Sequence, residues 1–217
     1  MTASSDPPTS GLGRGPLPGR WRTVAGVFVR PRATLEAWGD ADASVPWVLA
    51  RLTLPLLLLS VIGAGVAHEL IPSAFPPETR PHPIGFGVYS ALTQLVGLLA
   101  LAAAAHYLCD LFQGYSDFHR PLAAVSVGLI PAWTGNIVAA VPWPVGPHAA
   151  LALILYSAVL LYAAFAVIVG VRRGHRLPHF LASIAAALLA TFAFGWQAMT
   201  WIPGAAPEIR LGTTWLI

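Results

Sequence analysis

Long apolar segments, separated by short polar stretches, occupy most of this chain. A helix needs about 20 apolar residues to cross a hydrocarbon core about 30 Å thick, and each of the five segments is long enough. None of them shows the period-two alternation of a half-buried strand. The pattern therefore predicts an all-α integral membrane bundle of five transmembrane helices, over residues 46–68, 83–108, 121–141, 149–171 and 178–202.

The region before the first span divides into two parts. Residues 1–24 are rich in Pro, Gly and Ser and contain no apolar core, so they are predicted to be a flexible tail and not a signal peptide. Residues 25–45 form a juxtamembrane segment in which Leu35, Trp38 and the stem of Arg32 share one face of a short helix. Such a helix either lies in the membrane interface or serves as an ordered linker.

The composition agrees with a bilayer as the natural solvent. Charged residues make up 10% of the chain, against about 25% in an average globular protein, and hydrophobic residues make up 56%. The mean hydropathy is +0.68. These values exclude a disordered chain and most soluble domains. The single Cys109 excludes an internal disulfide.

Arginine residues are distributed unequally between the two sides of the predicted bundle. All 12 basic residues are arginine, and only Arg80 and Arg210 fall on the side that carries the C-terminus. Positive residues stay in the cytoplasm, so we predict a cytoplasmic N-terminus and an outer-face tail over residues 203–217. One cytoplasmic loop holds three arginines that are topology anchors or candidate contacts for anionic lipid headgroups. They are Arg172, Arg173 and Arg176.

Two prolines interrupt predicted spans. Pro55 removes the amide that would bond the carbonyl of Arg51, and Pro131 does the same to the carbonyl of Val127. Each proline either breaks a helix that lines a substrate path or makes a kink that neighbouring helices satisfy. Polar residues near Pro131 leave both interpretations open. The candidate functional positions are Pro55, Ser126, Pro131, Thr134 and Asn136.

No catalytic constellation is recognisable in the chain. It contains no nucleophile elbow, zinc-protease motif, phosphate-binding loop or paired-cysteine motif, and no pattern of a nucleic-acid reader. His106 and Asp110 share a helix face beside Cys109, and His119 follows in the same loop, whereas a metal site needs three or four converging ligands. We therefore expect no catalytic residue, no cofactor and no metal, and no nucleic acid as a partner.

Four short stretches occur in the order, and within the five-span layout, of a known membrane family. They are a Pro-to-Trp segment at 31–38, a proline in span one at 54–57, a Phe-Gly stretch at 111–114 ahead of Pro131, and a Tyr-Ser, Leu-Leu run at 155–162. With these stretches, residues 28–202 resemble the Yip family of Ypt/Rab-interacting membrane proteins, and within it the bacterial five-span branch. The likeness departs at Gln113, and the acidic-Tyr-Gly-Pro motif of the eukaryotic trafficking members is absent.

The resemblance implies a non-enzymatic, multi-pass protein of the bacterial plasma (inner) membrane, related to eukaryotic proteins of vesicle trafficking and membrane shaping. Helix faces of small residues, such as Ala182, Ala186 and Ala190, favour close packing. The first hypothesis is thus a scaffold, adaptor or accessory subunit that binds a membrane protein or a second copy within the lipid bilayer. The alternative is a small oligomeric transporter or channel that uses the kinked third span. A third hypothesis is a membrane enzyme or metalloprotein that uses His106, Asp110 and His119.

Overall fold

The computed structural model describes residues 17–71, 82–112 and 117–205, and all regular structure within them is helical. A π-helical stretch at Leu49–Thr53 precedes α4, and a short 3-10 helix at Arg173–His175 precedes α10. The α-helices are α1 (Arg20–Val29), α2 (Pro31–Gly39), α3 (Val45–Val48), α4 (Leu54–Leu70), α5 (Pro83–Tyr107), α6 (Cys109–Phe112), α7 (His119–Gly128), α8 (Ile130–Val138), α9 (Val145–Val167) and α10 (Arg176–Trp201).

Within residues 17–71, 82–112 and 117–205, five helical segments are long and apolar enough to cross a membrane, which confirms the predicted fold class and the number of spans. The ends of these segments differ from the predicted ends by no more than five residues. Prolines stand in the first turn of several of them, where the missing N–H costs no helical hydrogen bond. The spans are Val45–Leu70, Pro83–Tyr107, His119–Val138, Val145–Val167 and Arg173–Trp201.

Span three, made of α7 and α8, is the enclosed centre of the bundle. In its apolar stretch 67% of the residues are buried, against 17% to 33% in the other four spans. Every residue from Pro121 to Gly128 is buried, and most of these are small or β-branched. Helix α7 contacts α5 and α9, α8 contacts α4 and α9, and α10 lies along α5. Small side chains allow this close approach, which drives helix association in lipid.

Helices α1 and α2 pack on the bundle and form part of its core. Val27 of α1 and Leu35 and Trp38 of α2 are 0–2% exposed. The indole Nε1 of Trp38 donates a hydrogen bond to Thr23 Oγ1 at 3.2 Å, and Tyr156 Oη of α9 donates to the carbonyl of Val27 at 2.6 Å. The segment before span one is therefore anchored to α9 through both side-chain packing and a backbone contact.

Helix α1 starts at Arg20, inside the range assigned from sequence to the N-terminal tail. The remainder of that tail and several other predicted features lie outside the described residues. These are residues 1–16 with Arg14, Arg80, Gln113 and Gly114 of the family-like stretch, and residues 206–217 with Arg210.

Candidate functional site

The polar side chains of span three face its neighbours in the bundle, beginning at the proline kink. Leu129 separates α7 from α8, and Pro131 follows as the second residue of α8. The amide of Ala132 donates a hydrogen bond to Ser157 Oγ of α9 at 2.7 Å. An unpaired amide within the hydrocarbon region costs several kcal/mol, so this serine compensates for the irregular backbone beside the proline.

Ser126 joins span three to span one. Its hydroxyl lies 2.7 Å from the hydroxyl of Thr53, and both residues are fully buried. Thr53 ends the π-helical stretch that leads into α4. The hydroxyl of Ser126 is thus engaged in a hydrogen bond between two helices.

Asn136 connects three helices near the end of span three. Its Nδ2 donates to Ser60 Oγ of α4 at 3.3 Å and to Gln94 Oε1 of α5 at 3.2 Å. Gln94 Nε2 donates to Ser90 Oγ at 2.9 Å, and Ser60 Oγ donates to the carbonyl of Trp133 at 2.9 Å. Such amide and hydroxyl contacts hold transmembrane helices together. We call these five residues the Asn136 network.

Thr134, a fourth candidate, makes no such contact between helices. Its hydroxyl donates to the carbonyl of Ile130 in its own helix at 3.1 Å. A threonine that bonds the carbonyl four residues earlier contributes to the local helix geometry. The structure therefore brings Ser126 and Asn136, but not Thr134, into the contacts between helices.

Pro55 lies in α4 directly after the π-helical stretch, where the amide of Leu54 bonds the carbonyl of Leu49. The carbonyl of Arg51, from which the proline removes a partner, accepts a hydrogen bond from Arg20 Nε of α1 at 2.7 Å. The carbonyl that Pro55 leaves without a helical partner is therefore hydrogen-bonded by a side chain from the segment before the span.

A buried histidine escaped the sequence interpretation. His179 of α10 is fully buried, and its Nε2 lies 3.0 Å from the carbonyl of Ala105. Its ring packs edge-to-face against Phe112 and Phe165, with centroids 5.5 and 5.3 Å apart. Because a carbonyl only accepts, Nε2 carries the proton. The sequence does show an ionisable residue inside a predicted span. Such a residue is costly in a membrane and needs a hydrogen-bonding partner.

The residues proposed for a metalloprotein do not form a ligand set in the part of the chain that the structure describes. No group of three His, Cys, Asp or Glu residues there could hold a metal ion. The ring of His106 packs against Phe118, and Asp110 is exposed. His119 Nε2 points toward Asp42, 4.0 Å from its Oδ1.

Cys109 is a buried thiol whose Sγ donates to the carbonyl of Ala105 at 3.0 Å. Burial, with a smaller contribution from the charge of Asp110, raises the pKa of this thiol from 9.0 to about 11. The reactive thiolate is therefore scarce at neutral pH.

Of the three arginines proposed for lipid contact, Arg172 and Arg173 lie between α9 and α10, and Arg176 is the first residue of α10. Arg172 and Arg173 are exposed, whereas Arg176 is half-buried and donates from Nε to the carbonyl of Val171 at 2.9 Å. In the same region Arg120 Nη1 donates to the carbonyl of Ile168 at 3.5 Å. Arg176 and Arg120 thus donate hydrogen bonds to backbone carbonyls of this region, and Arg172 and Arg173 are exposed at the surface.

An open groove runs between the two helices before span one. Its volume is about 440 Å³, and the residues that line it include the small Gly26, Ala33 and Ala37. Arg22 and Arg30 also line it, and no Asp or Glu does so among the described residues. We call this feature the α1–α2 groove.

Comparison with known proteins gives one finding. A family model described as the Yip1 domain matches residues 25–199. This range begins in the middle of α1, includes all of α2 to α9 and ends two residues before the end of α10. No curated protein and no solved structure matches the chain.

Proposed function

This chain belongs to the Yip family, and on that premise we propose that it is a non-catalytic scaffold, adaptor or accessory subunit of a membrane complex. It is a multi-pass membrane protein of a family not known for enzymatic activity. We propose a bacterial plasma membrane as its location, and the resemblance to the bacterial branch supports this part of the proposal. The excess of arginine before span one and in the α9–α10 loop supports a cytoplasmic N-terminus.

The observation that carries the proposal is the use of the polar groups in span three. Ser126 and Asn136 form hydrogen bonds to other helices, and Ser157 bonds the backbone beside Pro131. A substrate path would need polar groups of this kind to remain available to the substrate. Because these groups are hydrogen-bonded between helices, they support a bundle whose helices keep fixed relative positions.

A fixed bundle with a docked segment before span one offers a surface for a partner. Small residues line the α1–α2 groove, and Arg22 and Arg30 give it positive charge. By charge complementarity, the proposed occupant is an apolar segment of a partner protein with acidic flanking residues.

The transporter alternative gains no support from the comparisons or from the described residues. Of its candidate residues, Ser126 and Asn136 bind across helices and Thr134 bonds its own helix. Loss of a measured flux on substitution of Asn136, in a protein that keeps its fold, would revive that alternative.

The test is purification of the full chain in mild detergent, followed by quantitative mass spectrometry of the proteins that co-elute. We expect a stoichiometric membrane partner with the wild type. Ala33→Glu places a negative charge in the groove and should release the partner. Ser44→Glu adds the same charge at an exposed position outside the groove and should retain it.

Two results would contradict the proposal at different levels. Recovery of the wild type only as an isolated monomer would overturn the scaffold function. Retention of a stoichiometric partner by Ala33→Glu would overturn the groove as the docking surface and leave the scaffold function standing.

A further inference from the structure

A second cavity lies where α1 meets the beginning of span one. Its volume is about 350 Å³, within the range of small-molecule sites. Two arginines and two tryptophans line it: Arg20 and Trp21 from the first turn of α1, Trp47 from α3 and Arg51 from the π-helical stretch. We call it the interfacial pocket.

The interfacial pocket concentrates positive charge. Arg20 and Arg51 both line it, and its described lining contains no aspartate or glutamate. The bond from Arg20 Nε to the carbonyl of Arg51 fixes one edge of the Arg20 guanidinium against the backbone of span one. Two arginines that line one pocket without a carboxylate favour an anion as its occupant. Planar guanidinium groups also match the geometry of phosphate oxygens.

The pocket lies near the beginning of span one, where a transmembrane helix enters the headgroup region. Arg51 lies six residues after Val45, the first residue of span one, which is about 9 Å along a helix at 1.5 Å per residue. A cation at that depth must reach toward the interface or pair with an anion. Trp21 and Trp47 are residues that favour the headgroup layer. This placement holds on either face of the membrane.

We propose that the interfacial pocket binds the phosphate of an anionic phospholipid. Arg20 and Arg51 donate hydrogen bonds to the phosphate oxygens, and the rings of Trp21 and Trp47 pack against the glycerol and the start of the acyl chains. The pocket shares Pro18 with the α1–α2 groove, but none of its arginines lines that groove. It does not depend on the scaffold function.

The test uses the full chain, delipidated in mild detergent and examined by native mass spectrometry. Phosphatidylglycerol, phosphatidylcholine, glycerol phosphate and inorganic phosphate are each titrated in turn. We expect one tightly retained phosphatidylglycerol, with affinity at least tenfold above that for phosphatidylcholine and for the two soluble phosphates. Size-exclusion profiles verify that every variant remains folded.

Arg51→Gln is the main variant, because it removes a guanidinium but keeps the backbone carbonyl that Arg20 binds. We expect it to weaken phosphatidylglycerol binding at least tenfold, and Arg51→Lys to weaken it less. Arg32→Gln, at an exposed position of α2 outside this pocket, is the matched control and should leave binding unchanged.

Three results would overturn the proposal. Undiminished lipid binding by folded Arg51→Gln would exclude the pocket. Equal binding of phosphatidylglycerol and phosphatidylcholine would exclude selection of an anionic lipid. Binding of inorganic phosphate or glycerol phosphate as tight as that of the lipid would indicate a site for soluble anions.

Discussion

The hydroxyl of Ser157 in α9 accepts a hydrogen bond from the backbone amide of Ala132 in α8, at 2.7 Å. Pro131 immediately precedes that amide, at the point where Leu129 separates the two halves of span three. A side chain from the adjacent span therefore satisfies the backbone at the irregularity. This explains how a proline is accommodated in the most enclosed helix of the bundle.

Ser157→Ala should lower the free energy of unfolding by about 1–2 kcal/mol, because it leaves the amide of Ala132 without its partner. Unfolding in detergent mixtures measures the change. The control is Thr134→Val, which removes a hydroxyl that bonds only its own helix and should have little effect. Equal losses in the two variants would contradict the role of Ser157.

Asn136 and Gln94 should be energetically coupled, because the amide of one donates to the carbonyl oxygen of the other at 3.2 Å. We expect the double variant Asn136→Leu, Gln94→Leu to lose less stability than the two single variants together, with a coupling of about 0.5–1.5 kcal/mol. A complete double-mutant cycle measures it. Additive losses would show that the contact contributes nothing.

Gly128→Ala should destabilise the bundle by about 1–3 kcal/mol through overpacking. A Cβ atom at this position would lie 2.5 Å from Leu161 Cδ2 and 3.2 Å from the Leu161 Cα atom. In a Leu161→Ala background, Gly128→Ala should cost less than it does in the wild type, because most of the overlapping side chain is absent. Gly65→Ala is the matched control, since a Cβ there meets no atom within 4 Å. Thermal unfolding that ranks Gly65→Ala as the more damaging change would contradict this packing.

Tyr156→Phe should loosen α1, because its hydroxyl donates to the carbonyl of Val27. Loss of a hydrogen bond of about 1 kcal/mol corresponds to roughly fivefold faster amide exchange in α1. Hydrogen exchange with mass spectrometry measures it, with Tyr162→Phe on the same helix as the control. Unchanged exchange in α1 would mean that packing of Val27, Leu35 and Trp38 suffices for docking.

Cys109 should react slowly with iodoacetamide in the folded protein at pH 8. Its pKa is raised to about 11, and only the thiolate reacts. Up to about pH 11 the rate should rise roughly tenfold per pH unit. In the unfolded chain the rise should level off near the ordinary thiol pKa of 9.0. Fast labelling of the folded protein at pH 8 would contradict this environment.

The spans and their kinks were accessible from local patterns. Pro55 and Pro131 were recognisable as irregularities because the missing N–H is a property of proline itself. Their compensating partners were not recognisable. Arg20 was assigned to a tail, and Ser157 is one serine in an apolar run. His179 was overlooked because an average over a long apolar segment conceals one polar residue.

The sequence by itself determined five membrane-spanning helices, because hydrocarbon thickness and the cost of unpaired backbone groups act on each segment separately. Tertiary structure alone decided which polar groups meet. Thr53 contacts Ser126 across 73 positions of the chain, and Ser60 contacts Asn136 across 76. Such contacts depend on which helices become neighbours and how they are rotated. In lipid these choices follow from the packing of complete helix surfaces, which no local pattern encodes.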